Sequence, residues 1–283
     1  MSSPTRPVTT LDKSAVLPAL FASWEAIEHL LTDLSDERWA TPTALPGWAV
    51  HDVASHVIGT ESMLMGLPTP EVDVDLSALP HVHNDIGHLN ESWVRALRGE
   101  TPDGMRLRLG EVTAQRSTTL TSMVDDVWNA VTMTPAGPDS YGRFMRIRIF
   151  DCWMHEQDIR EAVDRPATDD DLAGVTAQQA LDEMAASMGF VVGKRGKAPD
   201  GARVALELTG PLQRTIRVAV DGRAAVVDDF GGAEPTVTIR LDGLQFTRLC
   251  GGRPLSASRP ATVEVLGDEQ VGRRIVDNLS YVI

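Results

Sequence analysis

The spacing of apolar residues divides the chain into a helical part and a strand-rich part. In the first part, apolar residues recur every three or four positions, which is the period of one helix face. This period predicts helices at about 12–33, 50–67, 86–97, 113–123 and 143–163. A further helix is expected at 171–192.

Beyond residue 200 the pattern is typical of strands. The segments ARVALELTG, RTIRVAVDG, RAAVVDD and PTVTIRLDG alternate or run β-branched, with Gly or Asp-Gly turns between them. Helices are expected again at 244–250 and 268–279, with the strand ATVEVLGD between them. We therefore predict a disordered N-terminus at 1–10, a helical domain at 11–168, and a linking helix with an α+β domain at 169–283.

Composition narrows the classes of function. The 283 residues carry a formal charge of −14, from 40 acidic and 26 basic side chains, which disfavours a nucleic-acid partner or an anionic membrane surface. No apolar run approaches the roughly 20 residues of a membrane-spanning helix, and the N-terminus lacks the apolar stretch of a secretion signal. Two cysteines, Cys152 and Cys250, do not make a disulfide framework. We expect a cytoplasmic protein.

The residues best placed for chemistry lie on the helix at 143–163. Asp151 and His155 are four residues apart, so they share one helix face and form a two-point platform for a metal ion. Asp158 lies on the same broad face and could orient the histidine. The alternative is an ordinary ion pair at the surface, which is what such a spacing usually means.

A third ligand could come from the helix at 50–67. Its histidines His51 and His56 are five residues apart and point about 140° from each other, so they cannot share one ion. His56 is flanked by Val53 and Val57 and borders the apolar face, whereas His51 is expected to face water or a loop. If this helix packs against the long one, His56 reaches Asp151 and His155.

Other candidates are weaker. The segment HVHNDIGH offers His81, His83 and His88 as a rival metal cluster, but it lies at a loop boundary and has no obvious fourth ligand. Trp48 and Trp153 could line a pocket, although tryptophans at helical spacing are more often core residues. No G-x-G-x-x-G joins a strand to a helix, and neither a P-loop nor a G-x-S-x-G elbow occurs, so nucleotide binding and serine hydrolysis are poor interpretations.

Two segments, LPGWAVHDVASHVIGTE and RIFDCWMHEQDIREAVDRP, resemble the DinB-like, mycothiol-dependent maleylpyruvate isomerase family of actinobacteria. The resemblance implies a DinB-like four-helix bundle followed by a smaller sterol-carrier-like α+β domain. It also implies that His56, Asp151 and His155 bind zinc or another divalent metal. The family has glutamate where this chain has Asp151, which is shorter by one methylene.

The resemblance further implies an activity. Family members use mycothiol, a small thiol whose sulfur binds the zinc ion and becomes a nucleophilic thiolate. The expected enzyme is an S-transferase or a cis-trans isomerase that acts on a small electrophile, as a monomer or homodimer. Arg148, Lys194 and Arg195 are candidates for binding the thiol, and Arg253 for a catalytic role. The alternatives are a small-ligand-binding protein without activity and a metal-dependent hydrolase.

Overall fold

The structure is a computed structural model that describes residues 7–256, 259 and 262–282. The chain forms two compact units, Met1–Arg165 and Pro166–Ile283. The disorder expected at residues 1–10 falls largely on residues outside the described part of the chain. Among the helices of the described residues, none combines the length and the apolar character needed to cross a membrane.

The first unit is a helical bundle. Its helices are α1 Lys13–Thr32, α2 Asp36–Trp39, α3 Val50–Leu64, α4 Asp85–Leu97, α5 Pro102–Ser122, α6 Asp125–Trp128 and α7 Tyr141–Ala162. Around the bundle, α1 contacts α5 and α7, and α3 contacts the same two helices. These four helices enclose the core, and α4 packs on the outer side of α3. The predicted four-helix bundle is therefore confirmed.

The apolar stripe of α1 illustrates why the bundle forms. Asp12 caps the helix by accepting a hydrogen bond from the backbone N–H of Ser14. The stripe points inward, and its members are buried: Val16, Leu17, Leu20, Trp24, Ile27, Leu30 and Leu31. Burial of apolar surface on this scale is the main driving force for bundle assembly.

Two local predictions for this unit were incomplete. The helix expected at 113–123 begins at Pro102, where Thr101 caps it through a hydrogen bond from Gly104 N–H. Glycines and charged side chains in its first half hide the apolar period, although Met105 and Leu109 are buried. The segment between the helices expected at 113–123 and 143–163 contains a hairpin, β1 Val131–Thr134 and β2 Gly137–Ser140.

The second unit is an α+β domain. It contains α8 Asp169–Ala173, α9 Val175–Phe190 with a π-helical turn at Val191–Arg195, β3 Arg203–Thr209, β4 Arg214–Asp221, β5 Arg223–Val227, β6 Val237–Asp242, α10 Gly243–Cys250, β7 Glu264–Gly267 and α11 Glu269–Val276. The sheet order is β5-β4-β3-β6-β7, and only β3 and β6 pair in parallel among the described strands. The helix expected at 171–192 is interrupted at Gly174, which ends α8 and begins α9.

Candidate metal centre

Helices α3 and α7 bring His56, Asp151 and His155 together. His56 Nε2 lies 3.1 Å from Asp151 Oδ2, and His155 Nε2 lies 3.5 Å from Asp151 Oδ1. One ligand atom from each residue lies within 4.8 Å of the other two. The packing of α3 against α7 that the sequence suggested is therefore present.

The donor set and its spacing fit a divalent metal ion. Two imidazole nitrogens and a carboxylate oxygen at about 2.1 Å from a tetrahedral zinc ion would stand about 3.4 Å apart. The distances from His56 to Oδ2 and from His155 to Oδ1 of Asp151 are close to that value. Among the described residues, these three form the one cluster of histidine, cysteine and acidic ligands that meets such a spacing. Three protein ligands leave a fourth position open, as in catalytic rather than structural sites.

The ligands differ in their exposure. The side chains of His56 and His155 are 6% and 7% exposed, whereas that of Asp151 is 32% exposed. Access from solvent therefore passes the Asp151 carboxylate. The two imidazole rings pack edge to face, with centroids 4.7 Å apart.

Asp158 orients one of the imidazoles. His155 Nδ1 lies 3.3 Å from Asp158 Oδ2, and the carboxylate is fully buried. A hydrogen bond donated by Nδ1–H leaves the lone pair of Nε2 facing Asp151 and His56, which is the tautomer a metal ligand requires. The sequence indicated this role for Asp158 without deciding between it and an ion pair.

Burial and charge act differently on the two histidines. Burial lowers the pKa of His56 by more than the nearby Asp151 raises it, so its imidazole is neutral and able to bind a metal. Burial also works to lower the pKa of His155, but Asp151 and Asp158 outweigh it and raise the pKa. For Asp151, burial is outweighed by Arg148 and the two histidines, which hold its pKa well below the usual range.

A buried network of charges underlies the centre. Glu61 on α3 is fully buried and accepts hydrogen bonds from Arg148 Nε at 3.0 Å and from Arg116 Nε at 2.9 Å. Arg148 also donates through Nη1 to Asp151 Oδ2, and Arg116 donates to Tyr141 at 3.2 Å. The network ties α3, α5 and α7 together and contacts the candidate metal ligands through Asp151.

Glu61 is not among the residues predicted from the sequence, although its position in the helix pattern points to a structural role. Glu61 lies seven residues after Ala54 and four after Val57 on α3. All three are buried, and they share one apolar stripe with Val50. A carboxylate on an apolar stripe is rarely left without partners. Such a position therefore indicates a buried cation on a neighbouring helix.

Trp48 covers the two imidazoles. Its ring centroid lies 5.4 Å from that of His56 and 6.3 Å from that of His155. The indole N–H donates to Glu91 Oε2 at 3.0 Å. Trp153, the other tryptophan considered from sequence, is buried in the core.

Three of the four other candidate residues belong to the second unit, and Arg148 belongs to the first. Lys194 and Arg195 are in the π-helical turn after α9, and the Lys194 ammonium lies 5.6 Å from the Phe190 ring centroid. Arg253 follows α10 and donates to the carbonyl of Gly251 at 2.6 Å. All three belong to the second unit. Arg148 is in the first unit, where its contacts are to Glu61, Asp151 and Cys152.

Two other histidines of the bundle, His51 and His81, have structural contacts. His51 Nε2 lies 3.0 Å from the carbonyl of Glu100, which agrees with its expected position against a loop. His81 Nε2 lies 3.2 Å from Glu91 Oε2. Within the described part of the chain, His81, His83 and His88 do not form a second cluster of metal ligands.

Comparison with known proteins covers both units. Residues 20–160 match the family model of the mycothiol maleylpyruvate isomerase N-terminal domain, and residues 178–274 match that of the MDMPI C-terminal domain. A crystal structure of a mycothiol-dependent maleylpyruvate isomerase superposes with a TM-score of 0.58 at 16% identity, over 89% of this chain and 95% of that chain. A histidine-to-alanine mutant of that enzyme gives a TM-score of 0.56 with the same identity and coverage. No curated protein sequence matches the chain. At this identity the solved structures establish the fold alone.

Proposed function

The chain belongs to the mycothiol maleylpyruvate isomerase family, and from this membership and the geometry of the centre we propose that it is a zinc-dependent, mycothiol-using enzyme. It would act on a small electrophile, either as an isomerase, by addition and elimination of the thiol, or as an S-transferase. The observation that carries the proposal is the cluster of His56, Asp151 and His155 with its exposed side at Asp151.

The three ligands would hold the zinc ion. When bound there, zinc would lower the pKa of a thiol and so supply a thiolate nucleophile at neutral pH. Two neutral imidazoles and one carboxylate leave a divalent ion with one uncompensated positive charge. This charge favours an anionic fourth ligand, and a thiolate has the required charge.

The surrounding residues hold the ligands in place. Asp158 keeps a proton on Nδ1 of His155, so that Nε2 stays free to bind the metal. Arg148 donates to Oδ2 of Asp151 and is itself held by Glu61, which limits the directions in which the short Asp151 carboxylate can turn. This support matters because Asp151 is one methylene shorter than the glutamate of the family.

The anchors of the thiol and the electrophile remain proposals. Lys194 and Arg195 are proposed to donate hydrogen bonds to polar groups of the thiol, and Arg253 is our proposed catalytic arginine. We expect the Arg253→Ala variant to retain its zinc and to lose most of its turnover. Unchanged turnover would remove Arg253 from the mechanism.

The direct test of the function is thiol dependence. Zinc-loaded protein is assayed for the isomerisation of maleylpyruvate with mycothiol, with cysteine and with no thiol. In parallel, thiol is titrated into the Co²⁺-substituted protein, where a sulfur-to-cobalt charge-transfer band reports binding. We expect thiol-dependent turnover and a saturable band that is absent from the His155→Ala variant. Substrate hydrolysis without thiol would favour the metal-dependent hydrolase, and neither turnover nor the band would contradict the proposal.

A further inference from the structure

We propose that Glu91 is a positioning residue that holds Trp48 as a fixed wall of the metal centre, and that this wall orients the thiol cosubstrate. The inference deepens the proposed function and rests on it for the thiol. Its structural half, the fixing of Trp48 by Glu91, stands without the metal.

The first observation is the position of the indole. Trp48 is partly exposed, whereas the two imidazoles it packs on are almost fully buried. With ring centroids 5.4 Å from His56 and 6.3 Å from His155, the indole screens both rings from solvent. Because the indole packs on both imidazoles, a thiol bound by the metal ion would carry its substituent close to the indole.

The second observation is the way the indole is held. Its N–H donates to Glu91 Oε2 at 3.0 Å, and Glu91 comes from α4, which packs on α3. Tryptophans elsewhere in the bundle differ, since Trp128 donates to the carbonyl of Leu11, and Trp93 Nε1 is buried without an acceptor among the described residues. A carboxylate acceptor makes a stronger hydrogen bond than a neutral acceptor does.

The third observation is that Glu91 is itself immobilised. Its side chain is 1% exposed; Arg95 Nε donates to Oε1 at 2.7 Å, and His81 Nε2 lies 3.2 Å from Oε2. Burial works to raise the pKa of Glu91, but the hydrogen bonds from Arg95, Trp48 and His81 outweigh it and lower the pKa. The group is therefore an ionised acceptor at neutral pH.

The backbone of Trp48 is fixed separately from its ring. Trp48 N–H donates to the carbonyl of Leu45, and its carbonyl accepts from Thr43 N–H and the Thr43 hydroxyl. Gly47 adopts a φ of +79°, and a Cβ there would stand 3.3 Å from Cε1 of His81. Because this turn holds the main chain, loss of Glu91 should release the indole of Trp48 without displacing its backbone.

The first experiment follows the indole N–H signals of the metal-free, ¹⁵N-labelled protein. The Trp48→Phe variant identifies the Trp48 signal among those of the six tryptophans. We expect the Glu91→Ala variant to move this signal upfield and speed its exchange with water. Glu91→Gln, which keeps an acceptor oxygen, should restore part of the shift. Asp85→Ala removes an exposed carboxylate from the same helix and should change nothing.

The second experiment measures Co²⁺ affinity and then the affinity of the Co²⁺ protein for mycothiol. We expect Glu91→Ala and Trp48→Phe to keep the metal affinity within about threefold and to weaken thiol binding about tenfold, with partial recovery in Glu91→Gln.

Three outcomes would overturn the inference: an unmoved Trp48 signal in Glu91→Ala, unchanged thiol affinity in both variants, or loss of metal affinity equal to the loss of thiol affinity. Failure of the wild-type protein to take up Co²⁺ would instead contradict the proposed function. It would also overturn the proposal that Trp48 orients the thiol. The indole N–H signals would still show whether Glu91 fixes Trp48.

Discussion

Replacement of Glu61 by glutamine tests whether the buried charge network holds the bundle together. The carboxylate has no exposure to solvent, and its partners Arg116 and Arg148 are 1% and 4% exposed. Glutamine keeps the shape and one acceptor oxygen but removes the charge. Two buried guanidinium groups would then lack their shared counter-ion, although Arg148 would keep its contact with Asp151.

The expected loss of stability follows from this burial. Removal of one partner from a buried ion pair costs about 3–5 kcal/mol, because the remaining charge stays desolvated. With a urea m-value of roughly 2 kcal/mol per M for a domain of this size, the unfolding midpoint should fall by about 1.5–2.5 M.

The assay can isolate the helical unit. All six tryptophans lie at or before residue 153, within Met1–Arg165, so their fluorescence follows unfolding of the first unit alone. The control is Glu25→Gln, an exposed position on α1, for which a change within about 0.5 kcal/mol is expected. A loss of unfolding free energy below about 1 kcal/mol for Glu61→Gln would show that Glu61 is not the essential counter-ion. The charges of Arg116 and Arg148 would then be compensated by other groups or by water.

Two further predictions use the same fluorescence assay. The pKa of Asp139 would be raised by burial, but hydrogen bonds from Arg143 and from backbone N–H groups lower it to about 2. The ionised form of Asp139 therefore stabilises the fold fully above the unfolded pKa of about 3.9, and this stabilisation is lost as the pH falls towards 2. The Asp139→Asn variant should lose about 2 kcal/mol of unfolding free energy at pH 7. Its difference from wild type should shrink below pH 4. A constant difference from pH 7 to pH 3 would contradict this account. The Gly59→Ala variant places a Cβ 2.4 Å from the Cβ of Trp93, where α3 meets α4, and should destabilise the unit by about 1–3 kcal/mol. Gly110→Ala, with no atom within 4 Å of the new Cβ, should be neutral or stabilising, and equal effects of the two substitutions would rule out steric contact as the cause.

Much of the fold could be predicted because each element carries a local signal. The apolar period of α1 and α7 and the Gly-bounded strands of the second unit identify their elements directly. The first half of α5 could not be recognised, since Gly104, Gly110 and several charged residues dilute its apolar face. What makes it helical is its Thr101–Pro102 start and its packing on neighbouring helices, and packing is not a local property of the sequence.

For the candidate site too, local sequence patterns could be predicted, whereas contacts made by packing could not. The spacing of Asp151 and His155 on one helix indicates a pair of metal ligands, and the position of His56 beside an apolar face indicates a third. That Glu61 pairs with arginines from two other helices, or that Glu91 holds Trp48, depends on contacts between residues 43 to 87 positions apart in the sequence. Such pairings follow from the way the helices pack, and no spacing within a single helix encodes them.

The proposed function depends on the binding of a metal ion by His56, Asp151 and His155. The most direct measurement is the metal content of the purified protein, without a histidine tag, beside its His56→Ala and His155→Ala variants, each checked for folding by circular dichroism. We expect the wild-type protein to bind about one zinc ion per chain after reconstitution, and both folded variants to have lost it. Zinc retained by both variants, or none bound by the wild type, would contradict the proposed function.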